Sequence, residues 1–302
     1  MNIMHINIRT YIRRNVLSQK LNKRRSTFKF KFKNIDFIGD KFMIRKNIAI
    51  ITGASSGFGK EFVKILVKNK SVDEIWAIAR NQKKLDLLKK DCGTKVQTFS
   101  VDLSNNKEII DFSYNLECNN PNILYLINNA GFAKFCSYKD LNIKDSINMI
   151  DLNVSGVVSM GLISIPYMEK GAQILNISSQ ASFQPLPYQN LYSSTKAFVR
   201  NYSRALNIEL KDQGISVTTV CPGWMDTNLF DRAIIGAKKA TNNFPFMVTP
   251  DKVADKAIYD SKKRKDISIY GWYTKLSHIV AKLLPQKLMM KIWLKQQGLE
   301  KI

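Results

Sequence analysis

From residue 47 onward, short runs rich in β-branched and other apolar residues alternate with longer stretches of helical periodicity. No other feature of the chain restricts its fold as much. The runs cover residues 47–52, 74–79, 95–101, 123–128, 173–178, 216–221 and 267–270. Each intervening segment is long enough for a helix; within 60–70, apolar Phe62, Val63, Leu66 and Val67 recur at i, i+3 and i+4, the spacing of one helical face. Strands joined by helical crossovers pair in parallel, whereas antiparallel neighbours need only a tight turn. The expected architecture is therefore α/β, a doubly wound parallel sheet of about seven strands forming one domain. A chain of 302 residues that is 45% hydrophobic and 24% charged can bury the core this requires. In such sheets ligands bind beyond the carboxyl ends of the strands, so function is best sought in the residues just after each run.

The first run ends in Thr52-Gly53-Ala54-Ser55-Ser56-Gly57-Phe58-Gly59 and passes into an amphipathic segment. Glycines allow a tight turn and close backbone approach, and a helix N-terminus offers free N–H groups and a positive dipole end to a pyrophosphate. The second run ends at Arg80, with no Asp or Glu at its tip. A carboxylate there would bind an adenosine ribose and repel a 2′-phosphate; an arginine would bind that phosphate, which favours NADP(H) over NAD(H). After the third run, Asp102 either accepts from an adenine amino group or caps the helix that follows. The fourth ends in Asn128-Asn129-Ala130-Gly131, two amides and a small pair where the chain could pass close to a flat ligand or simply turn.

Ser178 and Ser179 follow the fifth run, and Tyr192 and Lys196 lie four residues apart further on. On a helix the last two share a face, where an ammonium beside a phenol stabilises phenolate and lowers its pKa from about 10 toward working pH. Such a tyrosine is a usable general acid or base, and a serine hydroxyl beside it can polarise a carbonyl. Taken alone, the pair reads more readily as a surface Tyr/Lys pair, which is common at helical spacing.

Four motifs in order between about residues 46 and 227 give the chain a resemblance to the classical short-chain dehydrogenase/reductase family. They are Thr-Gly-x3-Gly-x-Gly at 52–59, Asn-Asn-Ala-Gly at 128–131, Ser-x12-Tyr-x3-Lys at 179–196, and Pro222-Gly223 followed by Thr227. The resemblance implies a Rossmann-type domain and an NAD(P)-dependent oxidoreductase acting on a small-molecule carbonyl or secondary alcohol. It implies that Tyr192 is the proton donor or acceptor, that Lys196 lowers its pKa and holds the nicotinamide ribose, and that Ser179 holds the substrate oxygen. Asn153 matches the asparagine completing the family's proton relay. Gly53, Ser55, Gly57, Phe58 and Gly59 match the pyrophosphate turn, Asp102 and Leu103 flank the adenine, and Asn129 and Gly131 line the cofactor cleft. Pro222, Gly223 and Thr227 match contacts at the nicotinamide end, and Arg80 matches the NADP-type position. The chain departs from many NADP-preferring members in carrying Ser56 where they have a basic residue in the glycine loop. A homo-oligomer is expected through the helix of Tyr192, again by resemblance. The competing class is a non-catalytic NADP-binding, redox-sensing protein, which needs the glycine loop but not the tyrosine and lysine.

Outside the motifs, the net charge of +23 is concentrated toward the start, where residues 1–42 hold eleven Lys or Arg against two Asp. This extension reads as a targeting peptide, a basic arm or a segment outside the working protein, with Met43 a natural start for the catalytic domain at 43–270. Four scattered cysteines and two histidines, His5 and His278, give neither a disulfide scaffold nor a metal centre, and no metal is expected. No run of 18 or more apolar residues is evident, so the expected location is the cytoplasm, and nucleic acid is not an expected partner. Residues 227–249 match the family's substrate lid, and their apolar Leu229, Phe230, Ile234, Ile235, Phe244, Phe246 and Met247 suit an apolar substrate or packing on their own domain. The tail at 271–302 is a basic amphipathic pattern that Pro285 divides into two helices. It fits either peripheral membrane contact and self-association or packing on the core.

Overall fold

The computed structural model describes residues 35–38, 41–227, 229–241 and 243–300. The readings offered for residues 1–34 lie outside these. The chain divides into a short unit ending at Ile44 and a larger one beginning at Arg45. The described part of the first is an antiparallel pair, β1 (Ile35–Ile38) and β2 (Lys41–Ile44), with Ile35 opposite Ile44.

The second unit contains a seven-stranded sheet, every neighbouring pair parallel. Its strands are β3 (Asn47–Thr52), β4 (Glu74–Ala79), β5 (Val96–Ser100), β6 (Asn122–Asn128), β7 (Gln173–Ile177), β8 (Ser216–Val220) and β9 (Ile267–Ser268). The spatial order is β5-β4-β3-β6-β7-β8-β9, so the winding reverses between β3 and β6. That reversal opens a crevice at the carboxyl ends of these two strands. All seven strands fall on the runs expected from the sequence.

Successive side chains of a strand point to opposite faces, and here both faces are covered, which is why the runs are continuously apolar rather than alternating. Ala49 and Ile51 of β3 join a core with Phe62 and Leu66 of α1 (Gly57–Val67) and Val253 of α8 (Pro250–Lys262). Ile48 and Ile50 join the opposite core with Phe112 of α3 (Asn106–Asn119) and Leu206 of α6 (Asn190–Glu209). Complete burial of a side chain such as Phe62 contributes about 1.5–3 kcal/mol.

One helical stretch is interrupted. α4 (Ile143–Ile150) runs through a π turn at Asp151–Ser155 into α5 (Gly156–Ser164). By length and composition alone, Ile143–Tyr167 could cross a membrane, with a mean hydropathy of 1.4. It contains no uninterrupted apolar run of that length, because serines such as Ser159 break the run without offsetting the aliphatic residues around them. Met149, Asn153 and Met160 of this helix are buried in the protein interior.

The tail forms α9 (Trp272–Leu283) and α10 (Gln286–Gln296), parted at Pro285 as expected. One side packs inward. Trp293 is buried in a cluster with Tyr192 and Phe135, and its indole N–H donates to Pro187 O at 3.0 Å. The other side exposes Trp272, Leu276, Ile279 and Leu283 among lysines.

Candidate active site

The turn from β3 into α1 is built on glycines for two distinct reasons. Gly53 and Gly57 have φ of +64° and +51°, where side chains are strained. At Gly59 a Cβ would lie 2.2 Å from Gly53 O, so close approach excludes any side chain. Ser56 makes no side-chain cap and the first turn of α1 carries no acidic residue, so its N–H groups are left for an anion.

The Asn-Asn-Ala-Gly segment is braced onto this turn. The Thr52 hydroxyl accepts from Asn129 N at 2.9 Å and Ala130 N at 3.0 Å, while Asn129 Nδ2 donates to Thr52 O at 3.1 Å. Asn128 does different work: its Nδ2 donates to Asn176 Oδ1 at 2.8 Å, and Asn176 donates to Ser203 Oγ, tying β6 to β7 and α6.

A cleft of about 770 Å³ follows the carboxyl ends of the strands. Gly53, Ser55, Gly57, Phe58, Arg80, Leu103, Asn129 and Gly131 line it, as do Ser179, Tyr192, Lys196, Pro222, Gly223 and Thr227. Three residues expected at the cofactor or the chemistry stand elsewhere. Gly59 lies beneath the turn. The Asp102 carboxylate is turned aside to accept from Ser104 N at 3.0 Å and Ser104 Oγ at 2.7 Å, a local turn ahead of the helix; the expected cap is supplied instead by Asn105, whose side chain accepts from Lys107 N. Asn153 is completely buried in the π turn, its Oδ1 accepting from Phe132 N at 3.0 Å and its Nδ2 donating to Phe132 O and Thr195 Oγ1. A Cβ on Gly131 would come within 2.9 Å of Asn153 Oδ1 and 3.4 Å of Lys196 Nζ, so this glycine lets the asparagine and lysine close up behind the cleft.

Arg80 stands at the tip of β4 beside Asn81 and Lys84, more than half exposed, its guanidinium 3.8 Å from Asp102 Oδ2. An exposed pair at that distance holds the side chain weakly and leaves its donors for a phosphate.

Ser179, Tyr192 and Lys196 meet although they come from a strand end and a helix. Ser179 Oγ accepts from Ala181 N at 3.1 Å, and its hydroxyl hydrogen-bonds the Tyr192 phenol. Lys196 Nζ donates to Ile177 O at 2.8 Å and lies 5.9 Å from the centre of the Tyr192 ring. The lysine was expected to lower the tyrosine pKa; in the structure burial dominates both groups. It pushes the phenol up to about 12, with the Ser179 hydrogen bond drawing it partly back, and pushes the ammonium down to about 8. Tyr192 is thus held as a neutral phenol with a proton to give.

The wall facing Tyr192 is aromatic. Phe135 packs edge-on to Tyr192 at 5.6 Å between centroids and also contacts Trp224, Phe230 and Phe244. Phe230 and Phe244 belong to residues 227–249, the segment read from the sequence as either a substrate lid or packing on its own domain. Phe135 and Trp224 had no signal, being isolated aromatics outside any periodic pattern.

These features fit a nicotinamide dinucleotide: an uncapped helix start and glycine turn for the pyrophosphate, an available guanidinium at the second strand, and a buried Tyr/Lys/Ser cluster at the far end. Comparison with known proteins agrees. The family described as short chain dehydrogenase matches residues 47–235. Very-long-chain 3-oxoacyl-CoA reductase-B of Danio rerio is 31% identical over 80% of this chain and 78% of its own length. The NADP-dependent 3-hydroxy acid dehydrogenase of Salmonella typhimurium is 32% identical over 58% of this chain and 71% of its own. Among solved structures, a Sphingobium yanoikuyae short-chain dehydrogenase in complex with NADPH superposes with a TM-score of 0.66 at 25% identity, covering 81% of this chain and 94% of that one. A serine dehydrogenase complexed with NADP+ gives 0.64 at 28% identity, covering 74% and 94%. The chain belongs to the short-chain dehydrogenase family, an oxidoreductase acting on alcohol and keto groups.

Proposed function

We propose that the protein is an NADP(H)-dependent reductase of apolar ketones or aldehydes, running the reverse oxidation when the alcohol is in excess. The observation that carries this reading is the neutral Tyr192 phenol, hydrogen-bonded to Ser179 and set against the aromatic wall of Phe135, Trp224 and Phe230. A bound nicotinamide dinucleotide supplies the hydride. Ser179 donates to the substrate oxygen and orients the carbonyl, and Tyr192 delivers its proton to that oxygen as charge develops. Lys196 stabilises the phenolate that remains, and Asn153 fixes the backbone of Phe132 and the hydroxyl of Thr195 around it. The aromatic wall excludes water and favours an apolar substituent on the carbonyl carbon. Arg80 supports NADP(H) over NAD(H), as do the NADP-dependent and NADP-bound relatives.

The test is NADPH oxidation against ketones and aldehydes ranging from polar sugars to long-chain and polycyclic compounds, with wild type and Tyr192→Phe. Turnover of the apolar members, lost in Tyr192→Phe with NADPH affinity retained, is the expected outcome. Turnover that survives the substitution places the acid elsewhere, and tight NADPH binding without turnover across the whole panel favours a sensor.

A further inference from the structure

Beside Ser179 the structure holds a second cavity, of about 430 Å³, between the loop after β7 and the two C-terminal helices, open to solvent along the edge where Leu276 and Phe246 are half exposed. Ser179, Gly223 and Trp224 belong to the walls of both the cleft and this chamber. Its apolar lining includes Leu186, Leu276, Val280, Met289, Ile292 and Trp293. Among the described residues no Lys, Arg, Asp or Glu lines it, in a protein 24% of whose residues are charged; its polar lining is neutral, with Gln180, Gln184, Asn243 and Gln296 beside the apolar residues. Most of the wall comes from residues 243–246, α9 and α10, beyond the segment 47–235 that the family shares.

We propose that this chamber receives an uncharged aliphatic tail of the substrate whose carbonyl lies at Ser179 and Tyr192. This rests on the reductase reading above and deepens it by naming the substrate class. The size falls within the range of small-molecule sites. No described lining residue offers a charged group a countercharge to offset its loss of water, whereas each methylene gains by leaving water along the apolar part of the wall. The C-terminal helices thereby select the substrate's length, while the residues at the strand ends carry out the reaction. Gly223, which lines both the cleft and the chamber, is seated directly against α9: a Cβ there would lie 2.4 Å from Thr274 Oγ1 and 3.2 Å from Gln180 Oε1.

The experiment measures kcat/KM with NADPH for straight-chain methyl ketones of increasing length, from butanone upward. In parallel it follows binding of the neutral apolar fluorophore N-phenyl-1-naphthylamine and its displacement by the same ketones. Wild type, Val280→Trp and Ile292→Ala are compared as full chains. In the wild type, kcat/KM rises about two- to fourfold per methylene until the chamber is full. Val280→Trp, which fills the chamber, removes at least tenfold of the gain for long ketones and abolishes fluorophore binding, with butanone unchanged. Ile292→Ala moves the preferred length upward. Butanone reduction without dependence on length, or a length dependence indifferent to both substitutions, overturns the chamber and leaves the reductase reading standing. Fluorophore binding that Val280→Trp abolishes, with no ketone reduced, overturns the reductase reading and with it the tail assignment. Absence of both binding and reduction overturns both.

Discussion

Gly223→Ala tests whether the C-terminal helices are integral to the active-site loop. Gly223 is not among the glycines with positive φ, so alanine meets no backbone strain there. What it meets is Thr274 of α9, whose Oγ1 stands 2.4 Å from the new methyl, closer than real contacts allow, with Thr274 Cβ at 3.5 Å in ordinary contact. Gln180 Oε1, at 3.2 Å, is the end of a flexible side chain and can yield. Overpacking of this kind costs about 1–3 kcal/mol, offset in part by the 0.4–1 kcal/mol or so that alanine gains by restricting the unfolded chain. The net loss is about 1–2 kcal/mol, a fall in Tm of roughly 2–8 °C. Thr274→Ala deletes the clashing oxygen. In that background Gly223→Ala should cost close to nothing, a coupling of about 1–2 kcal/mol read from the Tm of the four proteins of the cycle. An equal loss in both backgrounds refutes the contact between α9 and the Pro-Gly segment as the reason for glycine at this position.

Thr52→Val keeps the shape of the side chain but leaves the N–H groups of Asn129 and Ala130 without their acceptor, so stability should fall by about 2 kcal/mol or more in urea melts while Thr52→Ser stays near wild type. Arg80→Asp should lower the NADPH/NADH ratio of kcat/KM by about 10- to 100-fold, the worth of one charge-assisted contact to a phosphate; an unchanged ratio removes Arg80 from cofactor selection. The Lys196 pKa of about 8 lies below the 10.5 of an exposed lysine. Between those values the unfolded chain holds a proton that the folded protein has released, so stability relative to Lys196→Met should rise with pH from about 8 to 10.5 and be flat below it. A stability difference that does not change across pH 7–10 contradicts burial of that ammonium.

The site was legible to the extent that its chemistry follows from residue type at fixed spacing. Tyr192 and Lys196, four apart on a helix, and the glycines of 53–59 between strand and helix are local patterns, and the structure places them along one cleft. Arg80 was readable for the same reason, since the tip of a strand is a position along the chain. The weaker readings were of residues with two local uses. Asp102 could cap or bind, yet its carboxylate closes a turn onto Ser104, which lies two residues away with both an N–H and a hydroxyl to give, and Asn105 caps the helix in its place. Asn153 matched a position in the helix, yet nothing in the sequence indicated a π turn there, because that turn is held by Phe132 and Thr195, each at least 21 residues distant.

The order of apolar and polar residues along the chain determined the strands, their burial on both faces, the parallel sheet and the kind of chemistry at the strand ends. These depend on neighbours within one turn of helix or one strand, and such neighbours are adjacent in sequence. Tertiary structure alone decided the electrostatics and the walls. The Tyr192 phenol is raised and the Lys196 ammonium lowered because the finished fold removes water from both, a collective effect no single residue announces. Likewise Phe135, Trp224 and Trp293 gather around Tyr192 only after three distant segments have packed together, since burial is a property of the assembled surface and not of the residue buried.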